Sequence, residues 1–508
     1  MTRARSCALV LVVMAACGGD DGGQQVPADA AQQVPSEILP QSMYEARCAT
    51  PRTGVDPAGN KFPDIKGTLL DEQLWLRSWT NDTYLWYSEV PFSDAALDPT
   101  KFSTAIDYFD KLKTSATTAS GKAKDQFHFT YETSVWDSLS GSGVEAGYGI
   151  DWALLAASPP RKLVAALVQP NSAGATAGFK RGTNVLSIDG VDLVAGSDIA
   201  TLNAGISPAT GATHTFVITD PDGTNMRTVM VTAGAITLTP VQRVPLAAPN
   251  DHIGYLLFTD HIATSEAELI TEITALQGVT DLVLDLRYNG GGLLDIASEL
   301  AYMIAGPGPT TGKVFDRVAF NDKFPTTNPV TGGAIDPTPF ITKAEGFSAT
   351  AGLALPHLDL PRVFVLTGPG TCSASEAVLN GLAGVDVQVI QIGDTTCGKP
   401  YGFYPADNCG TTYFSIQFEG VNNKGFGDYA DGFVPGGVFP GCTVDDDFSA
   451  QLGDPAEARL AAALFYQQNG ACPPAARQSQ AVRPQAATTG AGAITAKPLW
   501  RQNAILLR

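Results

Sequence analysis

The sequence predicts an α+β chain of several units: a small helical N-terminal region, a β unit and an α/β unit. Three observations carry this. At 508 residues the chain exceeds what one hydrophobic core usually organises. Residues 142–240 break into short apolar runs separated by turn residues. Residues 250–467 alternate continuous apolar runs with helical periodicity, the pattern of a parallel sheet covered by helices.

Residues 1–17 carry Arg3 and Arg5, then a short apolar stretch from Ala8 to Val13, then Met14-Ala15-Ala16-Cys17. This reads as an export signal whose end resembles a bacterial lipobox, with Cys17 as the lipidation site. Gly18 after the cysteine carries no signal for inner-membrane retention, so the expected place is the cell envelope: an outer-membrane lipoprotein facing the periplasm or the cell surface. Residues 18–60 are rich in Gly, Gln, Ala and Pro and read as a flexible linker. With 51 acidic against 32 basic residues the formal charge is −19, which disfavours nucleic acid and anionic lipid as partners. Membrane association is expected through the N-terminal anchor only.

Residues 64–140 look helical. Trp75, Trp79 and Trp86 fall at helical spacing within one run, and Thr104 to Lys113 gives a second amphipathic run. Such an aromatic stripe reads as core. In residues 142–240, Gly147-Tyr148-Gly149-Ile150 resembles the carboxylate-binding loop of a PDZ domain. The block from Asn171 to Gly190, a small-residue helix leading into Gly182-Thr183-Asn184-Val185-Leu186-Ser187-Ile188-Asp189-Gly190, resembles a further PDZ segment, with Thr183 where aspartate is usual. PDZ domains capture chain termini by strand addition.

In residues 250–467, Ile253 to Phe258 and Leu282 to Leu286 read as strands, and Glu266 to Leu276 and Leu293 to Ile304 as helices. Residues 306–358, rich in Pro, Gly and Thr, read as a long insertion over the site. Arg362 to Leu366 is a buried strand, followed by a Gly/Pro turn and a helix beginning near Glu376. Ser373 sits at that turn, where the first helix amides lack internal partners and can hold an oxyanion. A serine needs a base. None of the five histidines, His128, His214, His252, His261 and His357, lies in a familiar catalytic motif, and there is no GxSxG elbow. The candidate base is Lys399, 26 residues on, after the strand-like run Val385 to Ile392. Burial would lower its pKa.

Ser373-Ala374-Ser375-Glu376 followed by a helix, a strand and Gly398-Lys399 resembles the C-terminal processing (tail-specific) serine peptidases, a family that includes the tricorn core. Leu284-Asp285-Leu286-Arg287-Tyr288-Asn289-Gly290-Gly291-Gly292 resembles that family's LDLRxNxGG block. The resemblance spans roughly residues 65–467. It implies a PDZ domain beside a crotonase/ClpP-like peptidase domain, Ser373 as nucleophile, Lys399 as general base, and an oxyanion hole from the amides of Gly291 or Gly292 and Ala374. Polypeptides are the implied substrates, and no cofactor or metal is implied. Where bacterial members often carry an orienting glutamine four residues after the lysine, this chain has Phe403; Glu376 or a backbone carbonyl could take that role. A rival reading is a catalytically silent envelope protein that keeps the fold and binds peptides.

Six cysteines remain beyond Cys7 and Cys17, an even number that suggests disulfides in an exported protein. The expected pairs are Cys372–Cys397 and Cys409–Cys442. Asp445-Asp446-Asp447 reads as a solvated turn rather than a calcium site. Residues 473–508 read as a flexible tail.

Overall fold

The computed structural model describes residues 34–56 and 59–474. The export signal with Cys17, residues 18–33 of the expected linker and nearly all of the tail lie outside the described residues. The flexible-linker expectation is corrected for the rest: Gln41–Met43 forms a 3-10 turn, Arg47–Cys48 pairs with Ile65–Lys66, and Tyr44 is buried in the N-terminal core. Among the described residues no helix is long and apolar enough to cross a membrane.

The centre is a six-stranded sheet in the order Val241–Arg243, Ile253–Phe258, Asp281–Asp285, Arg362–Thr367, Gln388–Gly393, Gly441–Thr443. The first strand is antiparallel and the rest are parallel. A parallel sheet must be covered on both faces, and the fully buried run of Ile253–Phe258 reflects this. One face meets helices Ser265–Ala275, Leu294–Ala305 and Ala374–Gly384 through Leu269, Leu300 and Val378. The other meets helix Ala458–Asn469 and also Ala153, Val164 and Leu167 of the β unit. Three strands, ending at Asp285, Thr367 and Gly393, therefore deliver their following loops to one sheet edge, where α/β folds place their ligands.

The β unit is an antiparallel sheet in the order Arg227–Thr232, Thr213–Thr219, Asn184–Ile188, Lys162–Val168, Ile150–Ala156. Strands Val144–Gly147 and Gly234–Thr237 pair where the chain enters and leaves it.

The N-terminal region differs from the all-helical expectation. Helix Leu69–Thr83 begins at a capping box in which Thr68 and Asp71 bond reciprocally. Trp75 and Trp79 stack on it at 5.5 Å. The helix stops at Thr83, so Trp86 is not on its face but in the next turn, edge-on to Tyr401. The second run is helical only over Ala105–Phe109. Phe129–Glu132 is a strand paired with Thr411–Phe414, and the aromatic core of the region includes Tyr401, Phe403, Tyr413 and Phe414. A stripe this apolar needs a partner surface, and the α/β unit supplies it.

The insertion packs on the helical layer. Phe315, Phe340, Ala344 and Leu355 join that core, and the amides of Gly346, Ser348 and Ala349 donate to the Glu266 carboxylate.

Among the described residues three disulfides are present: Cys48–Cys409, Cys372–Cys397 and Cys442–Cys472. The expected Cys409–Cys442 pair is thus corrected. Cys409 lies in the hairpin turn between Ala406–Asn408 and Thr411–Phe414 and meets the N-terminal segment, whereas Cys442 is on the far edge strand beside the end of the last helix. Asp446 is also corrected: it accepts from Arg181 at 2.5 Å and Arg287 at 2.8 Å and from Tyr288, with its side chain 8 % exposed. Two arginines from separate units make it an ion-pair centre, not a solvated turn.

Candidate active site

Ser373 stands between strand Arg362–Thr367 and helix Ala374–Gly384 with φ 61° and ψ −119°. A non-glycine residue there is strained, and such strain concentrates at functional sites. The turn survives because its surroundings fix it. The Ser373 amide donates to Glu376 Oε2 at 3.0 Å, the Cys372 amide donates to the Asn289 carbonyl at 3.1 Å, and the Ser375 hydroxyl donates to the same carbonyl at 3.0 Å. Ser373 is fully buried, and its Oγ has no hydrogen-bond partner among the described residues.

Lys399 follows strand Gln388–Gly393 and is also fully buried. Burial pushes its ammonium down to about 7, against the opposing pull of Asp125 and then Glu376. Its Nζ lies 4.0 Å from the Phe403 ring centroid and 5.0 Å from that of Phe127. Phe403 therefore presents an aromatic face to the ammonium.

Glu376 ties the two turns together. Its carboxylate accepts from the amides of Ser373, Gly398 (2.9 Å) and Lys399 (2.8 Å) and from Thr396 Oγ1 (2.5 Å). Burial pushes this carboxyl up, while those four donors favour the anion. The Cys372–Cys397 bridge joins the same turns covalently. Both sulfurs are consumed in that bridge, so their closeness to Glu376 offers no thiolate set for a metal.

The third loop, after strand Asp281–Asp285, brings in the glycines. A Cβ on Gly291 would lie 2.8 Å from both Ser373 Cβ and the Ala374 amide nitrogen, so only glycine allows this approach. The Gly291 amide is already used: it donates to Asn289 Oδ1 at 2.9 Å. The amides of Gly292 and Ala374 donate to nothing among the described residues. Gly292, at φ 139°, lies against the His261 backbone. His261 is fully buried, burial pushes it down to about 3, and its Nδ1 is 3.0 Å from Asn289 Oδ1. A neutral imidazole thus holds Asn289, and Asn289 holds the loop. No catalytic motif surrounds His261 in the sequence; its signal is purely spatial.

Gly147, Tyr148, Gly149 and Ile150 sit in the β unit. The Tyr148 and Gly149 carbonyls accept from the Gly174 and Gln169 amides at 2.8 Å each. Gly149 backs onto Ser172, where a Cβ would lie 2.4 Å from the serine Cβ.

A serine on a strained strand-to-helix turn, a buried lysine and a glycine loop thus meet at one edge of a parallel sheet. Residues 252–402 match the model of peptidase family S41. The carboxyl-terminal-processing protease of Picosynechococcus sp. is 27% identical over 239 residues, covering 45% of this chain and 49% of the relative. The chloroplastic C-terminal processing peptidase of Tetradesmus obliquus is 25% identical over 276 residues, covering 52% of each. The chain thus spans about half the length of these curated relatives. A solved S41 protease structure from Bacteroides fragilis matches with a TM-score of 0.58 at 23% identity, covering 81% of this chain and 99% of that one, which supports the shared fold.

Proposed function

We propose that this protein is an exported serine endopeptidase of the C-terminal processing type, acting through Ser373 and Lys399 on unfolded or C-terminally exposed polypeptides. One observation carries the reading: a buried, unpartnered serine Oγ on a strained turn shares its surroundings with a lysine whose pKa burial brings to about 7. At neutral pH a substantial fraction of that lysine is the free amine and can take a proton.

In the proposed reaction, Ser373 Oγ attacks the scissile carbonyl carbon and its proton passes to Lys399 Nζ. The C–N bond then breaks and the lysine returns the proton to the leaving amine. Water attacks the acyl-serine ester and gives a proton to the same lysine; the acyl–Oγ bond then breaks, the lysine returns that proton to Ser373 Oγ, and the acid product leaves and ionises in solvent. The tetrahedral oxyanion is held by the amides of Gly292 and Ala374, each such donor contributing about 3 kcal/mol to barrier lowering. No step calls for a cofactor. Gly291 shapes the loop rather than donating, because its amide is bound to Asn289.

The segment Gly147–Ile150 supports a PDZ-like role for the β unit, in which a substrate terminus adds beside the sheet. Three disulfides favour an oxidising compartment, consistent with export and a lipid anchor at Cys17. Because Ser373 and Lys399 are both fully buried, a substrate reaches them only after the surrounding wall moves. That closure also favours the second reading, a silent peptide-binding protein. Casein hydrolysis by residues 18–508, beside Ser373→Ala and Lys399→Ala, separates them. Cleavage by wild type and loss in both variants supports the dyad; no cleavage, even with added C-terminal peptides, supports the binding protein.

A further inference from the structure

The lysine loop of this chain has no glutamine four residues on; that side of Lys399 is the Phe403 ring. A second ring beside the lysine comes from a distant part of the chain. Phe127, in the N-terminal region, faces Nζ at 5.0 Å. Two residues before it, the Asp125 carboxylate is completely enclosed, with 0% side-chain exposure. Its surroundings are built for an anion. Oδ2 accepts from the Tyr84 hydroxyl at 2.7 Å, Oδ1 accepts from the Phe127 amide at 2.9 Å, and His128 Nδ1 is 3.4 Å away. Tyr84 is itself fixed by the Thr114 amide at 3.1 Å, and His128 by the Phe109 carbonyl at 3.0 Å and by stacking on the Phe109 ring.

The cluster cannot drift relative to the lysine loop. Strand Phe129–Glu132 is paired into Thr411–Phe414, and Cys48–Cys409 bridges to the same hairpin. The Asp431 carboxylate accepts from Thr118 Oγ1 and the Ser120 amide, and a Cβ on Gly398 would lie 2.3 Å from the Ala430 carbonyl oxygen. The segment carrying Asp125 is thereby locked to the residue beside Lys399.

We propose that Asp125 is the positioning residue for Lys399: its carboxylate, backed by Tyr84 and His128, aims the lysine at Ser373 and sets the pH range in which the lysine works as a base. The inference rests on the serine–lysine reading above. Burial drives the Asp125 carboxyl up, but the His128, Tyr84 and Phe127 contacts outweigh it and hold the group below the usual carboxylate range. Of the two acids that oppose the lysine's desolvation, Asp125 acts more strongly than Glu376. The other groups in this field are Tyr401, which feels Asp125, Tyr429, which feels Glu376, and the Glu89–Lys124 pair behind Tyr84.

The test is kcat/KM against pH on dye-labelled casein for wild type, Asp125→Asn, Asp125→Glu and Lys399→Ala, each checked for an intact thermal transition. Removing the negative charge lowers the lysine pKa further, so Asp125→Asn is expected to move the acidic limb roughly one pH unit or more toward low pH and to lower kcat more than KM. Asp125→Glu keeps the charge but displaces it, so its limb is expected to stay near wild type while kcat falls at least tenfold. A lowered plateau with an unmoved limb in Asp125→Asn would mean packing alone and overturn the proposal. If that variant fails to fold, unchanged kcat in Asp125→Glu overturns it instead. Wild-type activity in Lys399→Ala would sink the serine–lysine reading rather than this inference.

Discussion

At the residue scale the site is held in two unfavourable states that folding must support. Ser373 occupies a backbone region that L-residues avoid, at a cost of about 1–3 kcal/mol. Ser373→Gly is expected to be inactive yet more stable than Ser373→Ala by about 1 kcal/mol in denaturant unfolding, because glycine relieves the strain that alanine retains. Lys399 is the second. Its pKa falls from the ordinary range near 10.5 to about 7 in the folded protein. Between those values the unfolded chain binds more protons, so wild-type stability rises with pH across the window and the penalty is complete below pH 7. Lys399→Met is therefore expected to abolish turnover and raise Tm at pH 7, with the gain shrinking as pH approaches 10. A constant gain at both pH values would contradict burial of a neutral lysine.

At the element scale three strand ends supply three loops, and the Glu376 carboxylate and a disulfide fix two of them together. Cys372–Cys397 closes a loop with a sequence separation of 25. Loop-closure entropy puts its contribution at about 3 kcal/mol. The Cys372→Ala/Cys397→Ala double variant is expected to lose about that much stability and to lose kcat as well, since the turns bearing Ser373 and Lys399 then rely on hydrogen bonds alone, those to Glu376 and that from the residue-397 amide to the Thr371 carbonyl. Stability loss with unchanged kcat would show that the bridge serves folding only. Strands and helices of this layer were legible from sequence to within a few residues: the helix expected over Leu293–Ile304 forms over Leu294–Ala305, and the strand expected over Arg362–Leu366 forms over Arg362–Thr367. Continuous apolar runs between Gly-rich turns specify buried parallel strands locally. The strand Phe129–Glu132 was not legible, because its pairing partner Thr411–Phe414 lies almost three hundred residues away and local pattern cannot report it.

At the scale of the whole molecule, the N-terminal region completes the α/β unit, and the β unit is pinned to the other face of the sheet through buried charge. Arg181 of the β unit bonds Tyr288, Asp446 and the Ala166 carbonyl, while Arg287 bonds Asp285, Asp446 and Glu457. Both arginines are nearly or fully enclosed. Removing one partner of such a set leaves charge poorly compensated and typically costs 3–5 kcal/mol. Arg181→Met is expected to lower global stability by about 3 kcal/mol and to increase amide exchange in the loop Tyr288–Gly292, which the same network supports. A stable variant with unchanged exchange would show that the β unit and the glycine loop are independent.

By itself the sequence determined the class of fold, the serine turn, the lysine and the glycine loop, because each of these is written in contiguous residues whose chemistry and spacing are local. Tertiary structure alone decided which cysteines meet, that Asp446 is an ion-pair centre, that Gly291 rather than Gly292 spends its amide on Asn289, and that Phe127 of the N-terminal region lies beside Lys399. These depend on burial and on contacts between residues far apart in the chain. The energy of a buried charge or an unpaired amide is set by what surrounds it in space, and no local pattern carries that information.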